Sequence, residues 1–186
     1  MPKFRTYRVI CLWAALLWPS FSPGAEVLSM EVTHHRKLYI LHLQGIFAGE
    51  PHKIFEILTD YPLLTRLNKA IIHSTAIPHL TASNETHLSL VLQSCIWFFC
   101  KRISPTLNVT ALGNQEIFAV LVPDEDNFNF GWAQLKIHVL DNKTHVELYA
   151  ELIPAFWIPP LIGPLIIKHK LQQEAWETLQ NMEALM

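Results

Sequence analysis

The chain has 186 residues, 51 % hydrophobic and 16 % charged, with a formal net charge of −2. That apolar content excludes a disordered tail, and the length suits one domain with its own core. Setting aside a basic leader leaves 11 of the 14 Lys plus Arg against 16 Asp plus Glu, a net charge of −5, which argues against nucleic acid and against simple electrostatic docking on anionic lipid.

The first 25 residues read as a secretory signal peptide. Lys3, Arg5 and Arg8 give a positive start, Val9 to Trp18 form an uncharged apolar run, and Pro19 to Ala25 supply small residues. The apolar run has about ten residues, where a spanning helix needs about twenty. An uncleaved anchor is the alternative. Cleavage after Gly24 places Ser22 at the third position back, which fits better than cleavage after Ala25. One domain, residues 26–186, follows.

Residues 27–35 and 37–48 predict a β-hairpin, with Tyr39, Leu41 and Leu43 on one face. Glu50-Pro51 opens a helix, because a proline loses nothing in a first turn. Ile54, Phe55, Leu58 and Tyr61 recur at helical spacing, and Tyr61-Pro62 ends that helix. Leu63, Leu64 and Leu67 suggest a short second one. Strand-like segments follow at 70–77, 86–95, 98–111, 115–122, 128–140 and 143–153, several of them separated by turn residues such as Gly113-Asn114 and Asp141-Asn142. Val146, Leu148, Ala150 and Leu152 alternate with His145, Glu147, Tyr149 and Glu151, as in a half-buried strand. After a stretch holding Pro154, Pro159, Pro160 and Pro164, a long helix over about 160–184 carries the apolar stripe Ile167, Leu171, Ala175, Leu179 and Met182. Helices segregated to one side of an antiparallel sheet make an α+β fold.

Cys95 and Cys100 remain after processing, and an oxidising compartment favours pairing them. On one straight strand they would lie about 16 Å apart on opposite faces. A bridge therefore requires Ile96-Trp-Phe-Phe99 to turn. Both readings stand on the sequence.

The order of elements resembles the helix-grip fold of START-like (SRPBCC) proteins. The segment Ile57-Leu-Thr-Asp-Tyr-Pro-Leu-Leu-Thr-Arg-Leu-Asn68 resembles the bacterial polyketide cyclase/dehydrase and coenzyme Q-binding group. Phe98-Phe-Cys-Lys101 and the proline-rich segment 154–164 before the helix resemble other parts of its exported members, so the resemblance spans about residues 28–184. It implies a curved antiparallel sheet of six to seven strands wrapped on a long C-terminal helix, with two short helices after the first strands. It also implies an apolar cavity between sheet and helix, with Phe55, Leu58, Tyr61, Leu64, Trp132, Val146, Leu171, Ala175 and Leu179 as lining candidates. Each is equally an ordinary core residue. The aromatic segments suggest an entrance at Trp97, Phe98, Phe156, Trp157 and Ile162, or a lid over the sheet end.

The implied function is that of an exported, periplasmic, monomeric binder or carrier of a lipid, isoprenoid or quinone-like molecule, without cofactor. A cyclase or dehydratase, and a cavity-less protein docking through aromatic tips to a membrane or a protein, are the alternatives. Ten histidines include one adjacent pair, His34-His35, whose side chains point apart on a strand, so no metal site is expected. No nucleophile elbow or phosphate loop is present. Glu56 with Asp60, and Glu147 with Glu151, are expected to face water. The sequons at Asn84, Asn108 and Asn142 matter only in a glycosylating host.

Overall fold

A computed structural model of the chain describes residues 25–78, 85–96, 99–158 and 163–186. The leader 1–24, and Trp97, Phe98 and Ile162 of the expected entrance, lie outside the described residues.

The described residues form nine strands: β1 (Glu26–His35), β2 (Leu38–Phe47), β3 (Ile71–Pro78), β4 (Glu85–Ile96), β5 (Phe99–Ile103), β6 (Thr106–Leu112), β7 (Glu116–Leu121), β8 (Phe128–Leu140) and β9 (Lys143–Pro154). The helices are α1 (Pro51–Thr59), α2 (Leu64–Leu67) and α3 (Gly163–Leu185), with a 3-10 turn at Tyr61–Leu63. All pairings are antiparallel, in the order β1-β2-β9-β8-β7-β6-β4-β3, and β5 pairs only with β4. This is the expected helix-grip arrangement with more strands than expected. The segment 98–111 is two strands, because Pro105 has no N–H to give a ladder. The chain bends at Ser104-Pro105, so β5 pairs with Leu92–Ile96 of β4 and β6 pairs with Glu85–Ser89.

Local chemistry sets the turns. Asp141 and Asn142 both adopt positive φ (51° and 59°), the geometry of the tight turn that matches strand twist. Pro51 sits in the first turn of α1. The Asp60 N–H closes that helix on the Glu56 carbonyl at 2.9 Å, and Tyr61-Pro62 turns the chain away.

Strand register assigns the two sheet faces. Leu43, Leu148, Leu135 and Ile117 stand opposite one another across β2, β9, β8 and β7 and share the inner face with Val146 and Ile137. The helices cover one end of this face. There Leu43, Phe47, Ile137 and Val146 pack with Ile54, Ile57, Leu67, Leu179 and Met182 as one buried cluster. Asn68 ties the layers together. Its amide donates to the Glu174 carbonyl at 3.2 Å and to Thr178 Oγ1 at 2.9 Å, while its Oδ1 accepts from the Ala70 N–H at 2.8 Å. Asn181 Nδ2 donates to the Leu67 carbonyl at 2.9 Å. No described helix is long and apolar enough to cross a membrane.

Candidate functional site

The inner face changes character along the strands. At the packed end Phe47, Ile137 and Val146 are excluded from water. Farther along, Leu41, Leu107, Ala119, Leu121, Ala133, Ala150 and Leu152 point to the same side yet stay half-exposed. Leu41, Ala133 and Ala150 lie on strands in the middle of the sheet, so an edge cannot account for their exposure. Open space on the inner side can.

The floor of that space is built from small side chains. Ala119 pairs with Ala133, and Ala133 pairs with Ala150, so three alanines cross three neighbouring strands in one row. Gly131 stands one inner-face position away, and Leu121 lies over it: a Cβ there would come within 2.1 Å of Leu121 Cδ1. Helix α3 shows the same gradient. Leu179 and Met182 are buried, whereas Ile167, Leu171 and Ala175 are half-buried. The closest backbone approaches of α3 are to β1, α2 and α1. The strands β7, β8 and β9 that carry the alanine row are not among them, which fits a groove of open space over that row.

Several polar atoms are buried without partners. Ser74 Oγ on β3 and Ser94 Oγ on β4 fall on the inner face by register, and both are buried without a hydrogen bond. On α3, Glu174 Oε1 holds Lys170 Nζ at 2.7 Å, but Glu174 Oε2 is buried and unpartnered. Tyr61 stands across from β4. Burial pushes its hydroxyl up from the ordinary phenol value, against the opposing effect of a hydrogen bond with Thr86.

A separate recess of about 420 Å³ lies at the Tyr39 and Pro154 ends of the same strands. Tyr39 and Pro154 close it on the sheet side and Pro164 on the helix side, with Phe156, Trp157 and Ile158 around the rim. Burial pushes the Tyr39 hydroxyl up as well. Phe156 and Trp157, two of the expected entrance residues, are both at this recess.

The predicted lining residues divide. Val146 and Leu179 are fully buried in the packed cluster, and Phe55, Leu58, Leu64 and Ala175 pack against it. Tyr61 and Leu171 are half-buried. Trp132 is a correction: its position on β8 is an odd number of residues from Ile137, which turns it to the outer face. There its Nε1 donates to Glu151 Oε2 at 3.1 Å, and its ring stacks between Phe118 and Tyr149. Glu147, Tyr149 and Glu151 share this outer face, as the alternation predicted. His42 Nε2 lies 2.7 Å from Glu147 Oε1, and that hydrogen bond, with one from Gln44, holds the Glu147 carboxyl below the usual range. Glu56 and Asp60 face water.

Cys95 and Cys100 pair directly across the β4–β5 hairpin, Cα to Cα 4.0 Å, and form a disulfide. The chain does turn between them. Among the described residues no group of three His, Cys, Asp or Glu is placed to hold a metal. Sequence reasoning missed the alanine row, the two serines, and Tyr39 with its basic neighbours at the recess. The signal for the first was strand register, which alternation within one strand does not supply.

No family model and no curated protein matches the sequence. Solved structures do match the fold. The Zhui aromatase/cyclase from Streptomyces sp. R1128 superposes with a TM-score of 0.64 at 9 % identity, over 79 % of this chain and 92 % of that one. A START superfamily protein from Mycobacterium smegmatis gives 0.58 at 15 % identity, over 79 % and 99 %. The di-domain ARO/CYC BexL from the BE-7585A biosynthetic pathway gives 0.63 at 4 % identity; the match covers 80 % of this chain but half of that one. At such identities the likeness establishes architecture alone, and on that architecture the chain has the START-like helix-grip fold.

Proposed function

We propose that the protein is an exported binder or carrier of an apolar small molecule of lipid, isoprenoid or quinone type. The observation that carries this reading is the row of small, half-exposed alanines on the inner face of the sheet. Apolar surface left wet at the centre of a sheet is a standing cost of about 25 cal/mol per Å², and an apolar guest removes it. The unpartnered oxygens of Ser74, Ser94 and Glu174 suit a guest with a hydroxyl or carbonyl at one end. The leader-like first 25 residues and the disulfide fit export, and the bacterial resemblance is the ground for reading the site as periplasmic.

Native mass spectrometry with lipid extraction, on protein purified without detergent, tests the proposal. The expected result is a discrete added mass that is lost on denaturation. Ala150→Phe, which fills the floor of the groove, should abolish uptake while the protein stays folded. A mass that stays apo after incubation with a lipid and quinone panel overturns the reading. Glu174 favours a second one, an enzyme of cyclase or dehydratase type, because it offers an ionisable oxygen that no neighbour satisfies. A bound guest recovered chemically unchanged after prolonged incubation argues for the carrier.

A further inference from the structure

The recess at the open end gathers positive charge. His34, Arg36 and Lys37 line it, and no Asp or Glu does. Arg36 stands at the tip of the β1–β2 turn with a φ of 59°, which lifts the basic pair away from the sheet. Lys101 Nζ sits 5.0 Å over the Phe156 ring at the same rim. Among the described residues Arg36, Lys37 and Lys101 have no ion-pair partner, and all three are exposed. Beside them are two of the most exposed large apolar side chains described, Trp157 (78 % exposed) and Leu165 (77 %). Asp124, Glu125 and Asp126, on the β7–β8 loop next to Ala155, border the positive surface that the β1–β2 turn and Lys101 form.

We propose that this corner docks on an anionic lipid surface. Trp157 and Leu165 enter the headgroup layer, and Arg36, Lys37 and Lys101 meet the phosphates. An indole at the interface and unpaired cations around an apolar tip are the two signals such a surface rewards. The mature chain's net charge of −5 opposes adsorption of the molecule as a whole. What orients the molecule is the uneven distribution of its charge, and the cluster of Arg36, Lys37 and Lys101 beside Trp157 and Leu165 is the part that turns toward an anionic bilayer. The recess then opens at the membrane, where an apolar guest of the proposed kind would enter. The purpose of docking rests on the carrier reading, but docking itself is observable without any guest.

Co-sedimentation of the full mature chain with vesicles tests this. One set is phosphatidylcholine alone, and the other contains about 30 % phosphatidylglycerol. Binding is expected only to the second set, and loss of it at about 0.5 M salt. Arg36→Glu with Lys37→Glu should weaken binding at least about tenfold. Trp157→Ala should also weaken it, while Trp176→Ala, on an exposed part of α3, should leave it unchanged. Unchanged thermal melts show that these surface variants are folded. Binding to neither set, equal binding to both, or binding indifferent to all three changes at the corner overturns the proposal, the first outcome leaving the recess to a protein partner. Docking by a protein that stays apo in mass spectrometry would sink the carrier reading and leave this one standing.

Discussion

The two ends of one sheet face make the instructive contrast. Both are apolar, and both face the helices. At the packed end, Leu43, Phe47, Ile137 and Val146 meet Ile54, Leu67, Leu179 and Met182, and all eight are buried. At the open end, Leu41, Ala119, Ala133 and Ala150 stay half-exposed. Hydrophobicity does not separate the two; side-chain size and the distance to α3 do. A fold can thus anchor itself at one end and leave space at the other without any change in pattern.

The strongest way to break this contrast is large-to-small substitution at both ends. Phe47 is fully buried, and Phe47→Ala should cost about 3–5 kcal/mol in urea unfolding. Leu121 is half-buried over Gly131, so Leu121→Ala should cost under about 1.5 kcal/mol, the area term without a closed cavity. Equal losses would mean that the open end is as well packed as the other. Gly131→Ala sharpens the point: the added Cβ meets the flexible end of Leu121, so a nearly neutral change would show that Leu121 can swing into open space, and a large loss that it is held.

Much of the fold was legible because turns and alternation are local. The Asp141-Asn142 turn fixes the β8–β9 register, since Leu140 pairs with Lys143 and every later pair follows, Ala133 with Ala150 included. That half of the alanine row could have been read from the sequence. The β7–β8 connection, which brings Ala119 beside Ala133, has no such two-residue turn, so the row as a whole was hidden. Trp132 was misplaced for a related reason. Its size suggested a cavity wall, and only its parity with Ile137 reveals the outer face. The lining candidates on the helices were drawn from helical spacing. They fell mostly at the packed end, because helical spacing marks what a helix buries and cannot show where it stands off.

Smaller effects test what holds each end. The Cys95–Cys100 disulfide closes a short hairpin loop near the open end, and Cys95→Ser with Cys100→Ser should cost about 2 kcal/mol. A loss confined to amide exchange in β4 and β5 would place it at the open end alone. Asn68 lies where the packed end meets the rising half of α3. Asn68→Ala removes two hydrogen bonds to α3 and one to the Ala70 N–H, and should cost about 1–2 kcal/mol. Faster exchange in the first half of α3, with the second half unchanged, would show that this half is hinged on the packed cluster.

The smallest effect should come from the outer face, which belongs to neither end. The Glu147 carboxyl is held below its ordinary value of 4.5, first by the hydrogen bond from His42 and then by that from Gln44. A depressed folded value contributes stability above the unfolded pKa, and that contribution is lost as pH falls through the folded one. The window therefore lies below about pH 5. With 36 % of the Glu147 side chain exposed, solvent screening reduces the contribution to a few tenths of a kcal/mol. Glu147→Gln should flatten that small part of the acid limb of stability against pH. It should leave guest uptake untouched, because the sheet separates Glu147 from the alanine row. A variant that altered uptake as much as Ala150→Phe would show that the two faces are coupled, and the division between a packed end and an open one would no longer describe how this sheet works.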